Sequence, residues 1–124
     1  MSSKLEIAKQ YLDHLAQGDM DQVLALFADD AWVDSPIYGR QLAQDFYPIL
    51  QADTQLSELE LRDIFESSIT QNIAIYFTYH WTLKSGKKVS FQVVDVLTFD
   101  KNHKITSLQI IYDTVITREL VKEI

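Results

Sequence analysis

The stretch from Lys88 to Asp100 sets one carboxylate into a row of apolar side chains. Side chains of an extended strand alternate between two faces, so Val89, Phe91, Val93, Asp95, Leu97 and Phe99 share one side. Asp95 is the polar member of that row. The opposite row, Lys88, Ser90, Gln92, Val94, Val96, Thr98 and Asp100, is mixed and polar at both ends. Slipping the register by one residue would free the carboxylate but expose five large apolar side chains. Asp95 is therefore expected to face an interior or the wall of a cavity. A carboxylate there must be paired, hydrogen-bonded or held neutral, because an unpaired buried charge costs several kcal/mol. Alternation alone reads Asp95 as a core carboxyl bonded to a neighbouring backbone group or tyrosine.

The elements that would position it read as three helices followed by long strands. Ser2 or Ser3 can cap a first helix carrying Leu5, Ile7, Ala8, Tyr11, Leu12 and Leu15 at helical spacing, and Gly18 stops it. Asp19 is a second N-cap, followed by Met20, Val23, Leu24, Leu26 and Phe27, with Asp29 and Asp30 ending that helix in solvent. Ala31 to Gly39, broken by Pro36 and Gly39, reads as a short edge strand or an extended loop. A third helix is predicted from about Arg40 to Gln51, with Pro48 shortening or kinking it.

After a polar linker, Ala52 to Ser57, the period changes to alternation. Glu58 to Phe65 is a strand with Leu59, Leu61 and either Ile64 or Phe65 inward. Asn72 to Leu83 is a long strand with Ile73, Ile75, Phe77, Tyr79, Trp81 and Leu83 on one face and Ala74, Tyr76, Thr78, His80 and Thr82 on the other. Lys84 to Lys87 and Lys101 to Lys104 close hairpins, the second with Asn102 suited to a positive φ. The last strand runs from Ile105 to about Arg118, with Leu108, Ile110, Tyr112 and Ile116 on one side. The order specifies an α+β protein, and a curved antiparallel sheet wrapping the three N-terminal helices is its simplest closure. If the polar face of the Asn72–Leu83 strand looks into a cavity, its aromatic face needs cover. A homodimer stacked through the outer sheet face would supply it.

Composition narrows the function classes. At 124 residues the chain is read as one domain, 1–124, large enough for a real core. The net charge of −7 argues against nucleic-acid or anionic-membrane partners. There is no cysteine, hence no disulfide framework, thiolate chemistry or Cys-based metal site. The histidines and carboxylates lack metal-ligand spacing such as H-x-x-x-H, so no metal is expected. No cofactor motif is visible. With no apolar run long enough for a bilayer and no signal-type leader, a cytoplasmic protein is the expectation.

Tyr11, the Gly18-Asp19 stop, Leu26-Phe27-Ala28-Asp29-Asp30-Ala31, Val33-Asp34-Ser35-Pro36, Phe46-Tyr47, Val94 to Asp100 and Lys104-Ile105-Thr106 occur in order. Together they resemble the ketosteroid isomerase and SnoaL-like branch of the nuclear-transport-factor-2-like superfamily, over about Tyr11 to Tyr112. The resemblance implies a cone-shaped α+β fold, a curved antiparallel sheet with a mixed edge wrapped around three N-terminal helices and enclosing a deep apolar pocket, commonly in a dimer. It also implies an oxyanion hole in which Tyr11 and a protonated Asp95 donate hydrogen bonds to a developing enolate, with Tyr47 supporting Tyr11. Phe27 stands where some members carry a further Tyr, and Tyr112 matches an aromatic pocket residue. Phe46, Phe91, Val93, Leu108 and Ile110 are expected to line the ligand site.

One departure stands out. The family's general base is an Asp directly before the proline; here that position is Ser35, and the carboxylate is one residue earlier, at Asp34. Neighbours in an extended segment point to opposite sides, so Asp34 is no simple substitute. His80, placed by alternation and resemblance on the pocket face with Tyr76 and Thr78, is the candidate for moving the proton, and a hydrogen-bonded sheet residue is its alternative. His14 and His103 read as surface residues. The expected function is binding of a small apolar carbonyl or ring-type ligand. Either a ketosteroid-isomerase-like proton transfer accompanies it, or the chain is a non-catalytic binding or dimeric interaction domain that has lost its base.

Overall fold

The structure, a computed structural model, describes residues 3–122. Helix α1, Ser3–Gln17, buries Ala8, Tyr11, Leu12 and Leu15, one face of the helical repeat. Gly18 ends it with a φ of 73°. Its N–H bonds the Leu15 carbonyl at 3.1 Å, and that of Asp19 bonds the His14 carbonyl at 3.0 Å, the paired closure that a left-handed glycine permits. Asp19 then caps α2, Met20–Leu24, by accepting the Gln22 N–H at 3.2 Å. The capping role considered for Ser2 lies outside the described residues.

Six strands follow: β1 Phe27–Ser35, β2 Gly39–Leu42, β3 Thr54–Glu66, β4 Ile73–Leu83, β5 Lys88–Phe99 and β6 Ile105–Ile111. Helix α3, Ala43–Ala52, stands between β2 and β3, and α4, Val115–Val121, closes the described chain. The strands form one curved sheet in the order β2-β1-β6-β5-β4-β3. β1 and β6 are parallel and every other neighbouring pair is antiparallel. The architecture is the expected α+β one, with the mixed pairing at the β1–β6 seam. Helices α1 and α3 carry the buried Tyr11, Leu15, Phe46, Tyr47 and Leu50 onto the concave side of the sheet.

Several boundaries differ from the sequence reading. The second helix ends at Leu24, and Asp29 and Asp30 are exposed on β1 instead of capping a helix. Strand pairing wins here because Phe27 bonds into register with Ile105. The third helix starts at Ala43, since Gly39 to Leu42 pair with β1 as β2. Pro48 sits inside α3 without ending it, at the loss of one intrahelical hydrogen bond. The polar segment read as a linker is the start of β3, paired with β4 from Thr54 onward. The last strand stops at Ile111, and Ile116 belongs to α4. In the β5–β6 hairpin the residue with positive φ is His103, at 62°, not Asn102.

The largest correction concerns β4. Ile75 pairs with Asp95, Phe77 with Val93 and Tyr79 with Phe91. Directly paired residues project to the same side of a sheet, so the aromatic row of β4 shares the concave face with Asp95. Tyr76, Thr78 and His80 pair with Val94, Gln92 and Ser90 on the outer face. The aromatic row is therefore covered by the protein's own helices and needs no second sheet.

Candidate active site

Asp95 projects from the middle of β5 and is 2% exposed. Its Oδ1 is fully buried and has no hydrogen-bond partner among the described residues. Burial amid apolar side chains pushes its carboxyl up to about 8 from the ordinary value near 4, so it is mostly neutral at pH 7. A neutral carboxylic acid is a hydrogen-bond donor.

Tyr11 lines the same cavity as Asp95 and meets Tyr47 there. Their hydroxyl oxygens lie 2.8 Å apart and share a hydrogen bond. Both phenols are held well above their usual range by burial. Tyr11 lines the cavity, whereas Tyr47 is wholly enclosed behind it. The shared bond, in which either oxygen can be the donor, holds the Tyr11 hydroxyl at the cavity wall. Phe27 packs against both rings, with centroids 6.2 Å from Tyr11 and 5.5 Å from Tyr47, and contributes no hydroxyl to the pair.

The cavity, of about 460 Å³ including its open mouth, is lined by Tyr11 and Asp95 together with Ser35, Phe46, Phe91, Val93, Ile110 and Tyr112. The space enclosed within it is about 40 Å³, smaller than a drug-sized site, so a ring ligand enters by moving lining side chains. The sequence reading missed Leu15, Tyr38, Leu50, Phe77, Tyr79 and Trp81, which complete the wall. Tyr79 stacks on Trp81 at an interplanar angle of 11°, and Phe91 on Tyr112 at 17°. At the rim, polar atoms are tied to neighbours. The Tyr38 hydroxyl donates to Asp53 Oδ2 at 2.6 Å, Trp81 Nε1 donates to Thr54 Oγ1 at 2.8 Å, and the hydroxyls of Tyr79 and Ser57 share a bond at 2.8 Å.

Seven expected site residues do not line the cavity: Tyr47 and Phe27 pack against each other behind it, and five lie elsewhere. His80 is on the outer face, its Nδ1 2.7 Å from Ser90 Oγ and its Nε2 2.7 Å from Glu60 Oε1. Thr78 accepts from Arg62 Nε at 3.0 Å, and the Tyr76 hydroxyl donates to Gln92 Oε1, also outside. Asp34 alternates outward between the buried Val33 and Ser35 and pairs with Arg40 at 3.5 Å. Leu108 is a core residue with no exposure, packed opposite Leu97 below the cavity. None of these five lines the cavity. Among the described residues, no group of three His, Asp or Glu is placed to hold a metal ion, and no helix is long and apolar enough to cross a membrane.

Helices closing a curved mixed sheet over an apolar cavity define an α+β fold with an internal pocket. The chain belongs to the SnoaL-like domain family, whose family model matches residues 8–108, within the nuclear-transport-factor-2-like superfamily. It is 28% identical to a steroid Δ-isomerase from Nocardioides simplex over 94% of this chain and 98% of that protein. An NTF2-like protein of unknown function from Burkholderia pseudomallei has the same fold, with a TM-score of 0.84, 19% identity and 98% of each chain covered. So does TerC, crystallised with polyporic acid, at a TM-score of 0.82 and 19% identity over 98% of this chain and 99% of that one.

Proposed function

We propose that the chain binds a small, flat, apolar carbonyl compound in this cavity and polarises its carbonyl oxygen through Asp95 and Tyr11. The observation that carries this reading is the Asp95 carboxyl, buried, held neutral by its surroundings and with its Oδ1 left without a partner among the described residues. Buried polar groups are rarely left unmatched, and those that are call for a functional explanation. Two donors aimed at one oxygen in a site of low dielectric constant stabilise negative charge developing there. The likeness to a steroid Δ-isomerase supports a ring-type ketone as ligand.

The cavity offers acid more readily than base. Its polar lining consists of tyrosines, Trp81, Ser35 and a neutral Asp95, and neither Asp34 nor His80 reaches it. The proposed action is therefore to hold an enone, or its enolate, without a carboxylate to take the α-proton. Catalysed isomerisation is the second reading, favoured by the steroid Δ-isomerase likeness; it requires water beside Ser35 as the proton carrier.

Absorption spectroscopy of a bound cyclic enone tests the proposal. The ultraviolet maximum moves to the red when the carbonyl accepts strong hydrogen bonds, and Asp95→Asn and Tyr11→Phe each shrink that shift. An enone that binds with an unshifted maximum, or a shift that both variants leave intact, overturns it.

Pairing of two copies through the outer sheet face is also proposed. Its support is the row of half-exposed side chains on β4 and β5, including Tyr76, Val94 and Val96. Sedimentation of the wild type against Val94→Glu distinguishes a dimer through this face from a monomer.

A further inference from the structure

We infer that the cavity selects flat ring compounds with two hydrogen-bond acceptors, one oxygen held by Asp95 and Tyr11 and a second held by the Ser35 hydroxyl. The inference deepens the proposed function and rests on it.

Ser35 ends β1, is 6% exposed and faces the cavity. Its Oγ accepts the backbone N–H of Ile37 at 3.2 Å and that of Tyr38 at 3.3 Å. A serine hydroxyl has two lone pairs and one hydrogen. Both lone pairs are engaged by the turn that leads into β2, and no acceptor among the described residues takes the hydrogen. Toward a ligand, Ser35 is therefore a donor, in the position where the family resemblance implies a proton-abstracting carboxylate.

The sheet register gives the spacing. Ile110 of β6 pairs with Asp95 of β5, and Ser35 of β1 is one residue beyond the Asp34–Gln109 pair, beside Ile110. Asp95 and Ser35 thus flank Ile110 on one rung of the ladder. Two strand spacings separate their Cα atoms by about 10 Å, and the concave curvature turns the two side chains toward each other. A ligand lying over Ile110 meets a donor at each side and apolar surface between them. The rim offers it little competition, since the polar atoms of Tyr38, Tyr79 and Trp81 are bonded to Asp53, Ser57 and Thr54. The stacked aromatic pairs on the walls suit a planar ring.

Calorimetric titration of the whole chain with naphthoquinone and with tetralone, two-ring compounds with two carbonyls and one, tests the inference. The wild type binds the quinone about five- to tenfold more tightly, the effect of one added net hydrogen bond. Ser35→Ala brings that ratio to about one. Ser35→Thr, which keeps both the hydroxyl and the turn, retains the preference. An unchanged ratio in Ser35→Ala, or no preference in the wild type, overturns the role of Ser35. Asp95→Asn separates the two levels of the argument: it weakens both probes if the underlying reading holds, and leaves both unaffected if that reading fails.

Discussion

The hydroxyl oxygens of Tyr11 and Tyr47 stand 2.8 Å apart, and Tyr11 alone of the two faces the cavity. Tyr47 is thereby a positioning residue: its hydroxyl shares one hydrogen bond with that of Tyr11 and so fixes where the Tyr11 hydroxyl sits at the cavity wall. Tyr47→Phe removes that support without emptying the site. The expected cost is about 1 kcal/mol of stability, the net worth of one buried hydrogen bond, measured by urea unfolding. The red shift of a bound enone shrinks with it, by less than in Tyr11→Phe.

Asp95 makes both binding and stability depend on pH. Its carboxyl is raised to about 8 in the folded chain by burial and reverts to about 4 when unfolded. Between those values the folded state holds a proton that the unfolded state has lost, so stability falls as pH rises. Below about 4 the stabilisation is complete, and above about 8 it is gone. Carbonyl binding follows the same group and declines as pH passes through about 8. Asp95→Asn, neutral throughout, flattens the stability profile between these limits; melting temperatures at pH 5, 7 and 9 read the difference.

Replacing Ser35 by Asp introduces a carboxylate at the position where the resemblance implies a base. A ketone bound in Ser35→Asp should exchange its α-protons with deuterated water faster than in the wild type, by the ~10² to 10⁴-fold typical of a positioned base. Proton NMR of the ketone follows the exchange. Equal exchange in the two proteins means that Ser35 does not overlie the α-carbon.

His80 supplies a contrasting case. Its ring bridges Ser90 and Glu60 on the outer face, so His80→Ala should leave ligand affinity within about twofold, against the tenfold or larger loss that one charge-assisted hydrogen bond implies. Fluorescence titration monitoring the cavity-lining Trp81 compares the two proteins.

The sequence reading went wrong on His80 for a reason it contained. β4 has an aromatic face and a moderately polar face, and alternation together with the family resemblance assigns the polar one to the pocket. The hairpin loop decides otherwise. Thr82 pairs with Lys88, a register implied by a loop at Lys84 to Lys87, and counting back from it sets Asp95 opposite Ile75, not opposite a polar residue. Tyr79 and Trp81 thereby belong to the cavity, and they were missed because their bulk suggested an interface. Asp95, by contrast, was legible from alternation within its own strand, where one carboxylate breaks an apolar row. Tyr11 and Tyr47 needed the resemblance, because tyrosines at helical spacing look like ordinary core residues until a partner 36 positions away is brought beside them. The strand ends were least legible. β2 and the start of β3 are polar edge segments defined by pairing, which no local periodicity reports.

The claim on which the rest stands is that Asp95 is a neutral acid donating to the ligand. Infrared difference spectroscopy of the wild type against Asp95→Asn, across a pH titration, measures it directly. The account predicts a protonated-carboxyl C=O band that persists at pH 7, disappears with a midpoint near 8 and shifts when an enone binds. A band that is lost near pH 4, or one that an added enone leaves unmoved, contradicts it.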